Sequence, residues 1–527
     1  MNNIPIRVWK AVRGSPGLVF SCIAVGAGIA HLLRHHFRWS DSVAVAIALG
    51  ICVVLLPVSL RFETHKRRAA GMAFSVSALL LIGFWYHFRT EFGWFDWNVI
   101  HFHIVAGMDS SRAVWDAVAR SRNALLGFGL VILGLTGISA RLGLGWRSDV
   151  ALATVLLTAN PAVWQLADIL NPAASAVRNE LSRQYVQPVL TEKQSEQRNF
   201  LHIFLESTER TFLMKPELAR VMAPLAAIEA HGFAAIGMQQ IAHTRWSVAG
   251  MTAAFCGVPL FPVGYTTVNG AVGLGAFLPN AICIGDLLAP RGYELTFIIG
   301  ASSAFGGIDK LYLGHGFKRI IDGSEILAAY PGHASDWGAH DSAVLATVLS
   351  TLRNLQKRDV PFGLVVETIG GHGPDGYVSP ECTHGKIIAG GLEGILQAIA
   401  CTNSLVARML ESAEQEGLLA NTVVVLQSDH ISLERELFRD LAIEDRRLFF
   451  AISGEGIPAG VAVRPSSPVD VFPTLLEAIG LPPADRKAGL GVSLLSDTPT
   501  LLEVNGSGRF DQIIYYDRTL GRRLWAY

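Results

Sequence analysis

Two short runs of this chain end in residues that bind hard cations. Asn199 to Leu205 (NFLHIFL) is almost wholly apolar, without Gly or Pro, and breaks abruptly into Glu206-Ser207-Thr208-Glu209. Thr422 to Gln427 (TVVVLQ) is a β-branched run that ends in Ser428-Asp429-His430. Each reads as a buried strand of a parallel sheet. Ligands of open α/β sheets sit just beyond the carboxyl ends of the strands. Glu206 and the Asp429-His430 pair would then meet at one sheet edge, where carboxylates and an imidazole suit a divalent metal. The competing reading makes Ser207 or Thr208 the cap of a following helix, with Glu209 in its first turn.

A hydroxyl and a histidine complete the set. Ala242 to Pro259 (AHTRWSVAGMTAAFCGVP) places Ser247 in a strand-to-helix turn followed by small residues. A helix N-terminus there favours a phosphate, and a bound metal would lower the pKa of the Ser247 hydroxyl and make it a nucleophile. Ser247 as a simple N-cap is the alternative role, and Thr244 is the alternative hydroxyl. His372 lies in ETIGGHGPDGYVSPEC, a Gly-rich loop after another expected strand. It could donate to a phosphoryl oxygen or protonate a leaving alkoxide. Asp375 in the same loop reads as a turn residue.

These residues need an α/β scaffold, and the second half of the chain supplies one. Strands are expected at Asn199 to Leu205, Gly232 to Met238, Glu294 to Gly300, Pro361 to Glu367, Thr422 to Gln427 and Leu448 to Ser453. Helical periodicity fills Asp341 to Arg358 and Gly391 to Gly417. The alternation predicts a mostly parallel sheet flanked by helices. Val469 to Gly480 (VDVFPTLLEAIG) reads as a structural helix with Asp470 at its N-terminus.

The first half is different. Of 527 residues half are apolar, and the mean hydropathy is positive, so membrane spans are expected. Apolar segments run from Gly17 to Leu33, Val43 to Leu60, Ala69 to Phe88, Asn123 to Ala140 and Ala151 to Leu170. Each is close to the roughly 20 residues a spanning helix needs. Lys66-Arg67-Arg68 anchors a cytoplasmic loop, and an odd number of spans puts the C-terminal domain outside. His87, His101 and His103 fall in an aromatic stretch suited to the membrane interface. The domains are therefore 1–170, a transmembrane unit of about five helices; 171–198, a juxtamembrane connector; and 199–527, an extracytoplasmic domain. A net charge of −1 leaves no basic field for nucleic acid. Six cysteines without a CxxC pair argue against structural zinc. Proximity suggests that Cys256 pairs with Cys283 and Cys382 with Cys401, one of three connectivities open to four cysteines.

LESTERTF, TRWSVAGMTAAFCGVPL, FGGIDKLYLGHGF, ETIGGHGPDGYVSPEC and VVVLQSDH, in this order, resemble the motifs of the bacterial phosphoglycerol transferase I and lipoteichoic acid synthase-like family. That family belongs with the sulfatases and alkaline phosphatases, and the resemblance covers Asn199 to Gly480. It implies a sulfatase/alkaline-phosphatase-like α/β domain behind a multi-span anchor. The metal ligands it implies are Glu206, Ser247, Asp429 and His430, holding Mn²⁺ or Mg²⁺. Ser247 stands where the family usually has a Thr nucleophile, and His372 matches its substrate-binding His. Of the headgroup patch, Lys310 stands for an Arg, and Ile299 replaces the His of lipoteichoic acid synthases. Cys256-Gly257-Val258-Pro259 lacks the sulfatase CxPSR pattern, so sulfatase activity is not expected.

The implied activity is transfer of glycerophosphate from phosphatidylglycerol to a periplasmic glycan, by an enzyme of the bacterial inner membrane. Its partners would be the lipid donor, the glycan acceptor and the bilayer. A phosphoethanolamine transferase acting on lipid A or another glycan is the alternative enzyme. A non-catalytic membrane protein that binds glycan is the alternative of another class.

Overall fold

The computed structural model describes residues 179–191, 197–261, 275–373, 375–384, 394–432 and 445–526, and Ser77 and Leu130 as single positions. The chain divides into two compact units, Met1–Trp97 with Met108–Leu170, and Asn98–Gly107 with Asn171–Tyr527. Among the described residues no helix is long and apolar enough to cross a membrane. The five expected spans lie outside those residues, apart from Ser77 and Leu130, which are helical and exposed.

In chain order the second unit contains α1 (Glu180–Gln184), β1 (Asn199–Leu205), α2 (Pro216–Ala230), β2 (Phe233–Ala235), α3 (Ser247–Cys256), β3 (Glu294–Ile299), α4 (Ile308–Gly314) and β4 (Arg319–Ile321). A small hairpin follows, β5 (Ala334–Ser335) and β6 (Gly338–Ala339), then α5 (Asp341–Leu355), β7 (Phe362–Glu367), α6 (Pro380–His384), α7 (Gly394–Gln415) and β8 (Thr422–Ser428). The chain closes with β9 (Phe450–Ser453), β10 (Gly460–Ala462), α8 (Val471–Ala478), α9 (Ser507–Tyr516) and α10 (Arg518–Leu524).

The sheet has eight strands in the order β10-β2-β9-β8-β1-β7-β3-β4. Only β9 runs against its neighbours β8 and β2. Central β1 pairs in parallel with β7 and β8, so Phe204 stands beside Glu367 on one side and Gln427 on the other. Period-2 alternation then sends its side chains to two helical layers. Leu201, Ile203 and Leu205 enter a core with Val344 and Leu345 of α5 and Ile399 and Val406 of α7. His202 and Phe204 face the other way, against Phe255 of α3. This two-sided burial is why β1 reads as an unbroken apolar run. His202, the polar residue inside the strand, is bonded to Gln427 and driven by burial down to about 3, so it is a neutral core histidine.

All six expected strands are present, trimmed by up to three residues at an end, except that Thr422–Ser428 runs one residue longer than expected. Three-residue β4 and β10 and the β5–β6 hairpin were not expected, being too short to carry a period. Asp470 does open the late helical segment, with one oxygen accepting from Val492 N–H.

Both expected disulfides are present, Cys256–Cys283 and Cys382–Cys401, at sequence separations of 27 and 19. The second joins α6 to α7 next to the loop that carries His372. Replacing Cys382 and Cys401 together by Ser should lower the unfolding free energy by roughly 3 kcal/mol, the loop-closure value for this length. Denaturant midpoints with and without reductant check this. A wild-type midpoint unmoved by reductant would contradict it.

Candidate active site

The carboxyl ends of β1 and β8 bring Glu206, Asp429 and His430 together, all three buried, with potential ligand atoms within 4.8 Å of one another. Ser247, the first residue of α3, donates from Oγ to Glu206 Oε2 at 3.2 Å. The four residues expected at the metal thus meet at one sheet edge. Lys310 stands on α4, half-buried, after β3 at the same edge.

The approach of α3 to β8 depends on Gly250. A Cβ there would lie 2.0 Å from Asp429 O, so no other residue lets the helix N-terminus come so close. Trp246 occupies the N-cap position and makes no side-chain cap. The capping role for Ser247 is therefore not the one observed. Thr244 is not presented to the cluster either, because its hydroxyl donates to Ile241 O at 2.8 Å inside its own turn.

Ser207 also turns out not to cap a helix. It takes a left-handed φ of 54°, a conformation disfavoured by roughly 1–2 kcal/mol for a residue with a Cβ. In return its N–H reaches Asp429 Oδ1 at 3.0 Å and its hydroxyl reaches Glu206 Oε1 at 2.7 Å. Asp429 Oδ1 accepts a second backbone bond, from His430 N–H at 2.6 Å. Asp429 Oδ2 is buried without a hydrogen-bond partner and lies 3.1 Å from His430 Nε2. His430 Nδ1–H donates to Ile431 O at 2.8 Å, which leaves Nε2 facing the carboxylates. A carboxylate oxygen with nothing to accept, a second carboxylate and an imidazole nitrogen fixed from behind are what a divalent cation needs. The residues fit a metal.

Charge follows from this packing. Burial alone would lower His430, but Asp429 and Glu206 outweigh it and hold the imidazolium up to about 10. Burial would raise Glu206, yet the charges of His430 and His372 and bonds from His430 and Ser207 bring it down to about 2. Asp429 is pushed up to about 7, by burial first and then by Glu206. Without a cation, His430 therefore carries the positive charge the carboxylates require.

His372 is half-buried on the loop after β7 and donates from Nδ1 to Gly373 O at 3.0 Å. Burial lowers its pKa. Neutral His372 with Nδ1–H engaged offers a lone pair at Nε2, so it is first a proton acceptor. Its loop is gripped from two sides. Buried Asp341 accepts from Ile369 N–H at 2.8 Å and Gly370 N–H at 2.9 Å. A Cβ on Gly371 would lie 2.2 Å from Glu206 O, so the loop touches the metal-ligand turn directly.

Several contributors escape sequence reasoning. Trp337, at the tip of the β5–β6 hairpin, stacks on His372 with ring centroids 4.1 Å apart. Glu367 closes β7, and burial with the charges of Asp429, Glu206 and Asp341 raises it well above the carboxylate range. Glu209 is fully buried in an ion pair with Arg446, and both bond the backbone of Ser432. That pair ties the turn after β1 to the loop after His430. Nothing in the local sequence marks Trp337, whose partner is 35 residues away. The ESTE run does announce Glu209, but as an acid in the first turn of a helix capped by Ser207 or Thr208.

Residues 239–481 match the sulfatase family. Phosphoglycerol transferase I of Escherichia coli O127:H6 is 29% identical over 400 residues, which cover 71% of this chain and 51% of that protein. The chain thus spans about half the length of the curated relatives it matches. Among solved structures, a protein of the alkaline phosphatase superfamily from Vibrio parahaemolyticus shares the fold with a TM-score of 0.50 at 22% identity, covering 63% of this chain and 79% of that one. A lipoteichoic acid synthase from Listeria monocytogenes gives 0.48 at 15% identity, covering 60% and 80%. The match to the sulfatase family is thus confined to residues 239–481, and the similarity to phosphoglycerol transferase I extends over 71% of this chain.

Proposed function

We propose that this chain is a phosphoglycerol transferase of the bacterial inner membrane, held by about five spans with residues 199–527 in the periplasm. The donor is phosphatidylglycerol and the acceptor a periplasmic glycan. The observation that carries this reading is the Ser247 hydroxyl bonded to Glu206 within the Glu206–Asp429–His430 cluster. Two disulfides suit an oxidising compartment. A lipid donor explains why such a site would be tethered to a bilayer.

Glu206, Ser247, Asp429 and His430 would hold Mn²⁺ or Mg²⁺, which supplies a lowered hydroxyl pKa and charge for the phosphoryl oxygens. Ser247 Oγ forms a bond to the donor phosphorus as the bond from phosphorus to the diacylglycerol oxygen breaks. The proton lost by Ser247 passes to His372 Nε2 and on to the departing diacylglycerol. A glycan hydroxyl then attacks the phosphorus of the Ser247 ester, its own proton returning to Ser247 through the same imidazole. Trp337 fixes the plane of that imidazole, and Lys310 faces the headgroup.

The test uses the full chain in detergent with phosphatidylglycerol vesicles. Diacylglycerol release should require Mn²⁺ or Mg²⁺ and stop with a chelator. Faster turnover of phosphatidylethanolamine would replace the donor assignment, a result that buried Ile299 at the end of β3 makes worth seeking. A purified chain that retains no divalent metal and releases no diacylglycerol would favour the non-catalytic alternative.

A further inference from the structure

The turn that delivers Ser247 is strained and is held from outside the sulfatase-family match. His243 is buried and adopts φ 58°, a left-handed backbone for a residue with a full side chain. Such a conformation persists only where its surroundings over-determine it. Thr244 supplies one constraint from within, its hydroxyl exchanging bonds with Ile241 N–H and O.

Leu260 N–H donates to His243 O at 3.1 Å, and further constraints come from α9, more than 20 residues beyond the end of the match at 481. Asp511 Oδ1 accepts from Ala242 N–H at 2.6 Å, and Asp511 Oδ2 accepts from Arg245 Nη2 at 3.1 Å. One carboxylate therefore spans the turn from its entry to its exit. Tyr515 lies one helical turn further on the same face. Its hydroxyl accepts from Arg245 Nη1 at 3.2 Å, and its ring meets His243 edge-on at 5.1 Å. The helix is itself seated firmly, since Phe510, Ile513 and Ile514 are buried. Further along, Trp525 Nε1–H donates to Phe261 O at 2.9 Å, on the stretch that leaves α3.

Resting on the reading of Ser247 as nucleophile, we infer that the segment after residue 506 is a clamp on the nucleophile turn, with Asp511 as the positioning residue and Tyr515 as its support. Asp511 touches no reacting atom. Its work is to keep residues 242–246 in the one conformation that aims Ser247 Oγ at Glu206. A misplacement of about 1 Å at a reacting atom can cost about 10²-fold in rate, so a residue of this kind registers in turnover and not in ligand affinity.

The experiment follows two readouts on the full chain in detergent. Hydrogen exchange should be faster across residues 242–247 in Asp511→Ala, with the sheet strands unchanged. The rate of covalent labelling of Ser247 by phosphatidylglycerol should fall by about 10²-fold, while donor KM and Mn²⁺ affinity stay within about twofold. Asp511→Asn keeps an oxygen for Ala242 N–H and loses the charge facing Arg245, so it should fall between wild type and Asp511→Ala. If Asp511→Ala does not fold, Tyr515→Phe removes one hydroxyl and should give smaller changes in the same direction. Wild-type exchange and labelling in a folded variant would overturn the clamp. So would a loss of rate matched by equal losses of metal affinity and thermal stability, the mark of a merely structural role. Faster exchange with no labelling even in the wild type would instead count against the nucleophile and leave the clamp standing.

Discussion

Ser247→Ala is expected to lose transfer by about 10⁶-fold, the scale of other nucleophile deletions, while still binding Mn²⁺. The split follows from the geometry. Glu206, Asp429 and His430 come from two strand ends, positioned by Ser207, by the Glu209–Arg446 pair and by the Ile431 carbonyl, none of which involves the Ser247 hydroxyl. Three potential ligands therefore remain when the hydroxyl is removed. Ser247→Thr should retain transfer, because the secondary alcohol occupies the same first position of α3 and the resembling family ordinarily uses it. Initial rates of diacylglycerol release alongside metal binding by calorimetry check both halves. A Ser247→Ala variant that turns over near the wild-type rate would remove Ser247 from the mechanism.

The second large effect is expected at Asp429. Loss of a residue that merely orients a ligand costs 10- to 100-fold in metal affinity, and Asp429→Asn removes a ligand charge outright, so its affinity should fall by at least about 10²-fold. The same site makes binding depend on pH. Without a cation His430 is protonated up to about 10, and Asp429 is raised to about 7. A metal must displace the His430 proton, so affinity should rise by about tenfold per pH unit between pH 7 and 9. It should fall more steeply below pH 7, where Asp429 also takes up a proton. The sign for the metal-free domain is opposite. A raised histidine stabilises the fold below its unfolded value of 6.5 and loses that contribution as pH rises through about 10. Titrations in buffers of different ionisation enthalpy should show close to one proton released at pH 8. Affinity independent of pH between 7 and 9 would contradict this electrostatic account.

What the sequence discloses and what it hides follow a physical pattern. β1 and β8 are legible because burial on both faces demands unbroken apolar runs, and their ends are legible because the next residues are carboxylates and histidine. The donors Glu206, Asp429 and His430 needed no knowledge of packing. Ser247 was harder, since a serine after a turn serves equally well as a cap. Only its bond to Glu206 separates the two roles. Ser207, Trp337, Asp341 and Asp511 were not legible at all, because each acts through a partner distant in sequence. Ser207 in particular enters only the competing reading, as a helix cap shared with Thr208, whereas its left-handed backbone turns it back onto Asp429.

The most direct test is to find the covalent state. The full chain, incubated with phosphatidylglycerol and Mn²⁺ without a glycan acceptor, would be digested and its peptides across residues 242–260 analysed by mass spectrometry. A glycerophosphoryl ester on Ser247 is expected, formed with release of diacylglycerol and discharged when a glycan is added. An ester on Thr244 would move the role three residues upstream, against the bond that Thr244 makes to Ile241. Diacylglycerol release with no ester on any residue of that stretch would mean direct transfer to water, and would contradict the nucleophile on which the proposed function rests.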